Sequence, residues 1–115
     1  MSPRKQRFRI QDILDAIQAI QEYTLGMTFQ EFKADQKTVD AVIRRLMIIG
    51  EAATHLEEST INMAPEIQWR QVRGMRNIIV HEYFGVSERI IWDTVREDLP
   101  DIVEPLKRLL VSGND

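Results

Sequence analysis

Apolar residues in this chain recur every three or four positions, and that spacing leaves little choice of fold. Ile10, Ile13, Leu14, Ile17 and Ile20 follow an i, i+3, i+4, i+7 pattern, with Gln11, Asp12, Gln18 and Gln21 between them. A helix turns about 100° per residue, so all five fall on one face. The spacing predicts an amphipathic helix over about Arg7 to Thr24, with Gly26 as its stop signal. Thr28-Phe29-Gln30-Glu31 reads as a capping box that opens a short helix toward Ala34. Asp35 or Thr38 can cap the next helix. Val39, Val42, Ile43, Leu46, Ile49, Ala53 and Leu56 extend that helix from about Gln36 to Leu56. Its small residues, Gly50 and Ala52-Ala53, predict that a neighbouring helix approaches closely there.

Glu57-Glu58-Ser59-Thr60 interrupts the pattern, and Pro65 precedes a further apolar series. Trp69, Val72, Met75 and Ile79 predict a helix from about Glu66 to His81, ended by Gly85. Ser87 is a good N-cap for a helix carrying Ile90, Ile91 and Val95. Asp98-Leu99-Pro100 has the form of a cap followed by a first-turn proline, with Pro105 placed to kink or delay that last helix. Ser112 to Asp115 is expected to fray. No segment alternates with a two-residue period, and no internal repeat is present. The expected fold is all-α, an antiparallel bundle of four to six helices in one domain spanning 1–115.

The chain has no cysteine, which removes disulfides, thiolate metal sites and thiol nucleophiles together, and fits a reducing compartment. The basic start, Arg4-Lys5-Gln6-Arg7, leads into no apolar run of the kind a secretory signal needs. The longest apolar run is Leu46 to Ile49, far short of the roughly 20 residues of a membrane span. A cytoplasmic protein with no membrane partner is the expectation. Net charge is −3, so any contact with nucleic acid has to come from a local group among the 15 Lys and Arg residues.

Two histidines are present, His55 and His81. His81 lies five residues after Arg76 and two before Tyr83. On a regular helix five residues advance about 500°, leaving positions 76 and 81 about 140° apart, whereas position 83 returns to within about 20° of 76. Arg76 and His81 of one chain can converge only if the helix ends or distorts near Val80. Otherwise a second copy, related by a two-fold axis, supplies the other half. Such a pair suits metal-free cleavage of RNA. One histidine takes the 2′-hydroxyl proton, the other protonates the leaving oxygen, and a guanidinium offsets charge building at phosphorus. Asn77 could orient a phosphate or a side chain. Taken alone, Arg-x4-His-x-Tyr also arises by chance, and a histidine near a helix C-terminus is often only a partner for the helix dipole.

Arg70, Arg73 and Arg76 recur every third residue and could contact phosphates; a solvated face is the plainer reading. The same choice applies to Arg44-Arg45. Glu51 and His55 share a helix face at i, i+4, with no third ligand for zinc, and read as a surface pair. Trp69 and Trp92 fall on apolar stripes and read as core anchors. No phosphate-loop, dinucleotide-loop or hydrolase-elbow motif occurs, so no cofactor is implied.

The stretch from Trp69 to Val86, WRQVRGMRNIIVHEYFGV, resembles the HepT-like family, the toxin half of HEPN/MNT toxin–antitoxin pairs. The likeness extends to Lys37-Thr38-Val39-Asp40-Ala41-Val42, to Ile48-Ile49-Gly50-Glu51-Ala52-Ala53, to Ile91-Trp92 and to Asp98-Leu99-Pro100, and so covers most of the chain. It implies a HEPN-like helical bundle that forms a homodimer, with a metal-independent ribonuclease site at the interface. Carried over by position, Arg76 and His81 are catalytic and Asn77 supports them. Tyr83 is the residue that a partner nucleotidyltransferase antitoxin would modify with AMP, placing bulk and negative charge where RNA must enter. Two other readings remain open on the residues themselves. One is a non-catalytic subunit that docks a nucleotidyltransferase; the other is a dimeric RNA-binding module in which Arg76 and His81 only hold phosphate.

Overall fold

In a computed structural model, which describes residues 3–82 and 87–112 and, to the side chains, residues 4–77 and 87–111, the apolar stripes close on one another. Helix α1 spans Pro3–Tyr23, α2 Phe29–Ala34, α3 Gln36–Thr54, α4 Glu58–Asn62 and α5 Trp69–Glu82. Helix α6, Glu88–Asp93, runs through a π turn at Thr94–Asp98 into α7, Leu99–Ser112. With that last run taken as one rod, the described residues hold six helices and no strand. The all-α expectation is met.

Helix α1 begins earlier than its apolar stripe suggests, at Pro3, where the missing proline N–H costs nothing. Gln6, buried at 6% exposure, explains the extra turn. Its Oε1 accepts from the Glu57 N–H at 2.9 Å and the Thr60 hydroxyl at 2.8 Å, tying the start of α1 to the start of α4, just past the end of α3. The two helices therefore run antiparallel. Gly26, at φ +75°, makes the turn out of α1 in a left-handed conformation that side chains disfavour. The capping box then starts α2: Thr28 Oγ1 accepts from the Glu31 N–H while Glu31 returns the bond to Thr28 N–H at 2.9 Å. Of the two candidate caps for α3, Asp35 takes the role, accepting from both the N–H and the hydroxyl of Thr38.

Ile13, Ile17, Ile20, Val42, Leu46 and Ile49, all at or below 1% exposure, form the seam between α1 and α3. Leu99, Ile102, Leu106 and Leu109 of α7 join the same core. Trp69 and Trp92 are both buried, as their stripes predict. Trp69 Nε1–H donates to the Ala64 carbonyl at 3.0 Å, and Trp92 packs on Phe32 with ring centres 5.1 Å apart. Arg96 spans from the Trp92 face to the Met27 carbonyl, which ties the π turn of the last rod to the turn that follows α1.

Three expectations change. The break at Glu57–Thr60 contains most of α4, whose one buried apolar residue, Ile61, gives too few repeats for a period to register. Helix α5 starts at Trp69 instead of Glu66, because Ala64 to Ile67 form a turn that buries Ile67. Asp98 is not an N-cap: Leu99 N–H donates to Thr94, five residues back, and the rod continues unbroken. Pro100 supplies the reason. A regular α turn would press its ring on the carbonyl of Arg96, and the wider π turn just before it relieves that clash. Pro105 lies inside α7, which neither ends nor restarts there. Ser87 does cap α6, accepting from the Ile90 N–H. Gly85, expected to end α5, lies outside the described residues, as does most of the tail expected to fray. No helix among the described residues is long and apolar enough to cross a membrane.

Candidate functional site

Helix α5 is held against α3 at its midpoint. A methyl group added at Gly50 would lie 2.6 Å from the Arg76 backbone nitrogen and 3.0 Å from its Cβ, so the glycine is what lets the backbones meet. The close approach read from Gly50 and Ala52-Ala53 is thus an approach of α5, and Arg76 is the residue it delivers. From that anchored backbone the Arg76 side chain reaches outward, 49% exposed, and its Nη1 donates to Glu51 Oε2 at 2.5 Å. Glu51 Oε1 lies 3.5 Å from His55 Nε2. The surface pair expected of Glu51 and His55 exists, yet it has a third member from another helix. Sequence reading missed that link, although the signal was there: a residue next to a close-approach glycine borders the helix that approaches.

Beside this triad lies an open groove of about 580 Å³. Ile43, Met47 and Ile48 form its apolar floor, and Arg44, Glu51 and Arg76 stand around it. Met47, 37% exposed, leaves an uncovered apolar surface between charged groups. Arg44, Glu51 and His55 follow one another on the outward stripe of α3 at helical spacing.

The three arginines of α5 differ in what they do. Arg70 is exposed and has no partner among the described residues. Arg73 is turned onto the end of α3: its Nε donates to the Ala53 carbonyl and its Nη2 to the Leu56 carbonyl, each at 3.1 Å. Its Nη1 lies 3.7 Å from Glu58. Carbonyls at a helix C-terminus lack partners within the helix, and a cation there also meets the negative end of the dipole. The every-third-residue spacing could not distinguish this cap from a phosphate contact. Arg45 likewise stands over the Tyr23 ring, 5.9 Å from its centre.

Asn77 is exposed on α5, one position beyond Arg76. The α5 backbone is helical through position 81 to Glu82, so it does not end near Val80. Positions 76 and 81 are therefore about 140° apart around one continuous helix. Of the two ways of bringing Arg76 and His81 together, a helix that ends early is not the one this chain adopts. The His81 side chain and all of Tyr83 lie outside the described residues.

Comparison with known proteins finds a family model and relatives that span most of the chain. The family model described as "Ribonuclease HepT-like" matches residues 13–109. A protein of Thermococcus cleftensis named "Probable ribonuclease HepT" is 41% identical over 106 residues, covering 92% of this chain and 96% of its own. A Methanocaldococcus jannaschii protein named "Putative RNase MJ0127" is 38% identical, covering 98% and 96% respectively. One from Caldanaerobacter subterraneus named "Putative RNase TTE0752" is 34% identical, covering 88% and 90%. No solved structure matches the chain.

Proposed function

The chain belongs to the ribonuclease HepT-like family, and on that footing we propose that it is the toxin of a HEPN/MNT toxin–antitoxin pair, an endoribonuclease acting in the cytoplasm. In this reading two copies form a homodimer and each composite site takes residues from both. The site needs no metal, and a partner nucleotidyltransferase antitoxin silences it by adding AMP to Tyr83. The observation that carries the reading is the unbroken helix from Trp69 to Glu82, which separates positions 76 and 81 within one chain.

The chemistry follows from the groups a two-fold axis would gather. One His81 removes the 2′-hydroxyl proton, the oxygen attacks the adjacent phosphorus, and the 5′-oxygen leaves with a proton from the second His81. A 2′,3′-cyclic phosphate and a 5′-hydroxyl result. An imidazole with an ordinary pKa near 6.5 can serve either role at neutral pH. Arg76 opposes the negative charge that develops on the non-bridging oxygens, with Asn77 in support. Arg70, exposed about 1.7 turns before Arg76, extends the contact along the RNA backbone, which suits recognition by phosphate more than by base. Arg73 serves the fold, as the cap of α3.

AMP on Tyr83 would put a negatively charged nucleotide beside a site built for a phosphodiester, excluding RNA by volume and by charge. The decisive experiment is cleavage of RNA in EDTA by the wild type, Arg76→Ala and His81→Ala. The expected result is a cyclic phosphate end from the wild type and a loss of about a hundredfold or more in each variant. Equal cutting by all three would overturn the assignment, and binding without turnover by the wild type would identify an RNA-binding module instead.

A further inference from the structure

Arg76 is fixed at its backbone but not by it. An arginine side chain carries four rotatable bonds and sweeps a wide volume when exposed, and a guanidinium that wanders is a poor electrostatic partner for a transition state. The contact that restrains it comes from α3. Glu51 Oε2 accepts from Arg76 Nη1 at 2.5 Å, so one corner of the fork is held while Nε and Nη2 are left out of this contact. Glu51 is restrained in turn, because its other oxygen faces His55 Nε2 at 3.5 Å.

The pair is poorly placed to serve stability. Both partners are about half exposed, at 49% and 47%, where ion pairs contribute little to folding. The close approach at this helix crossing is set by Gly50, and Ala53 of α3 and Met75 of α5 are buried in the core without the pair's help. What the pair does set is the direction of a charged group at the rim of the groove that Arg44 and Met47 also line.

We propose that Glu51 is a positioning residue for RNA cleavage, holding the Arg76 guanidinium so that its remaining N–H groups meet the phosphate. The inference rests on the ribonuclease reading above. It implies that the carboxylate contributes through geometry: Glu51→Gln keeps size and polarity but loses the charge-assisted clamp, and Glu51→Asp keeps the charge while pulling it back by one methylene.

The test is steady-state cleavage of a short RNA by the full-length wild type, Glu51→Gln, Glu51→Asp and Arg76→Ala, with thermal unfolding of each. Glu51→Gln is expected to lower kcat about tenfold with KM nearly unchanged, since misplacement acts on the transition state more than on binding. Glu51→Asp should recover part of that loss, and Tm should stay with the wild type in both. Adding Glu51→Gln to Arg76→Ala should cost nothing further, because the residue acts only through the arginine. If wild type cuts, Arg76→Ala does not, and Glu51→Gln keeps wild-type kcat, the positioning role is overturned while the ribonuclease reading stands. A rise in KM alone would also overturn it, marking Glu51 as a binding contact. A wild type that cuts no RNA would overturn both.

Discussion

A methyl group on Gly50 would sit 2.6 Å from the backbone nitrogen of Arg76, so the position of the candidate catalytic arginine depends on a hydrogen atom in another helix. Backbone nitrogen cannot rotate away as a side-chain tip can. Gly50→Ala should therefore push α5 off α3, even though alanine favours the helical conformation by about 1 kcal/mol over glycine. The expected net effect is a lower Tm, from an overpacking cost of about 1–3 kcal/mol set against that gain, together with weaker RNA cleavage. Urea or thermal unfolding reads the first and the cleavage assay the second. A stable Gly50→Ala protein with full activity would show that the crossing is looser than it looks.

Arg70 and Arg73 are three residues apart, yet their substitutions should separate cleanly. Arg73→Ala removes two hydrogen bonds to the Ala53 and Leu56 carbonyls, at a cost of about 1–2 kcal/mol in unfolding experiments. Arg73→Lys should restore little of it, since a single ammonium cannot span two carbonyls as the fork does. Arg70→Ala should leave stability unchanged and weaken RNA binding instead. Its loss of one phosphate contact would lower the slope of log affinity against log salt by about 0.7. The reverse pattern would mean that the roles drawn from the two environments are wrong.

Acidity bears on the fold through Asp98. Burial first, then repulsion from Asp101 and Asp93, pushes its carboxyl above the ordinary 3.8. A raised folded pKa means that the unfolded chain gives up its proton first. Stability from the protonated acid is present below 3.8 and is lost as pH rises through the folded value. Asp98→Asn should accordingly raise Tm at neutral pH, with an advantage that shrinks as pH falls through that window. Measuring the difference between the two proteins cancels the opposite contributions of Asp35 and Glu66, whose carboxyls are lowered by hydrogen bonds. A Tm difference that ignores pH would contradict the proposed environment of Asp98.

The proposed silencing by AMP makes a prediction with a narrow readout. The chain has two tyrosines, and Tyr23 stands at the end of α1 beneath Arg45. Incubation with the partner nucleotidyltransferase and ATP should add AMP to the wild type and to Tyr23→Phe, but not to Tyr83→Phe. Intact-mass measurement decides it. Tyr83→Phe should also retain part of its growth inhibition when the partner is present, while the wild type is silenced. Modification of Tyr83→Phe at the wild-type level would remove Tyr83 from the proposal.

Much of this molecule follows from local rules that act within a few residues. The apolar stripes of α1 and α3, the Thr28–Glu31 capping box, the Ser87 cap and the turn at Gly26 depend only on helical period, side-chain reach and backbone sterics. They are legible wherever such residues occur. The family motif around Arg76 was equally legible. Other features required the partners to be in place. The short α4 has too few repeats to show a period, and the π turn before Pro100 replaces a break that proline seemed to announce. Arg73 and Arg76, alike in sequence and spacing, part company because one meets the open carbonyls of α3 and the other meets Glu51. The sequence by itself determined which faces are apolar and where the capped helices α2 and α6 begin, because those are properties of neighbours along the chain. Only the tertiary structure decided which charge meets which, because Glu51 and Arg76 are 25 residues apart and come together through a glycine that lets two backbones touch.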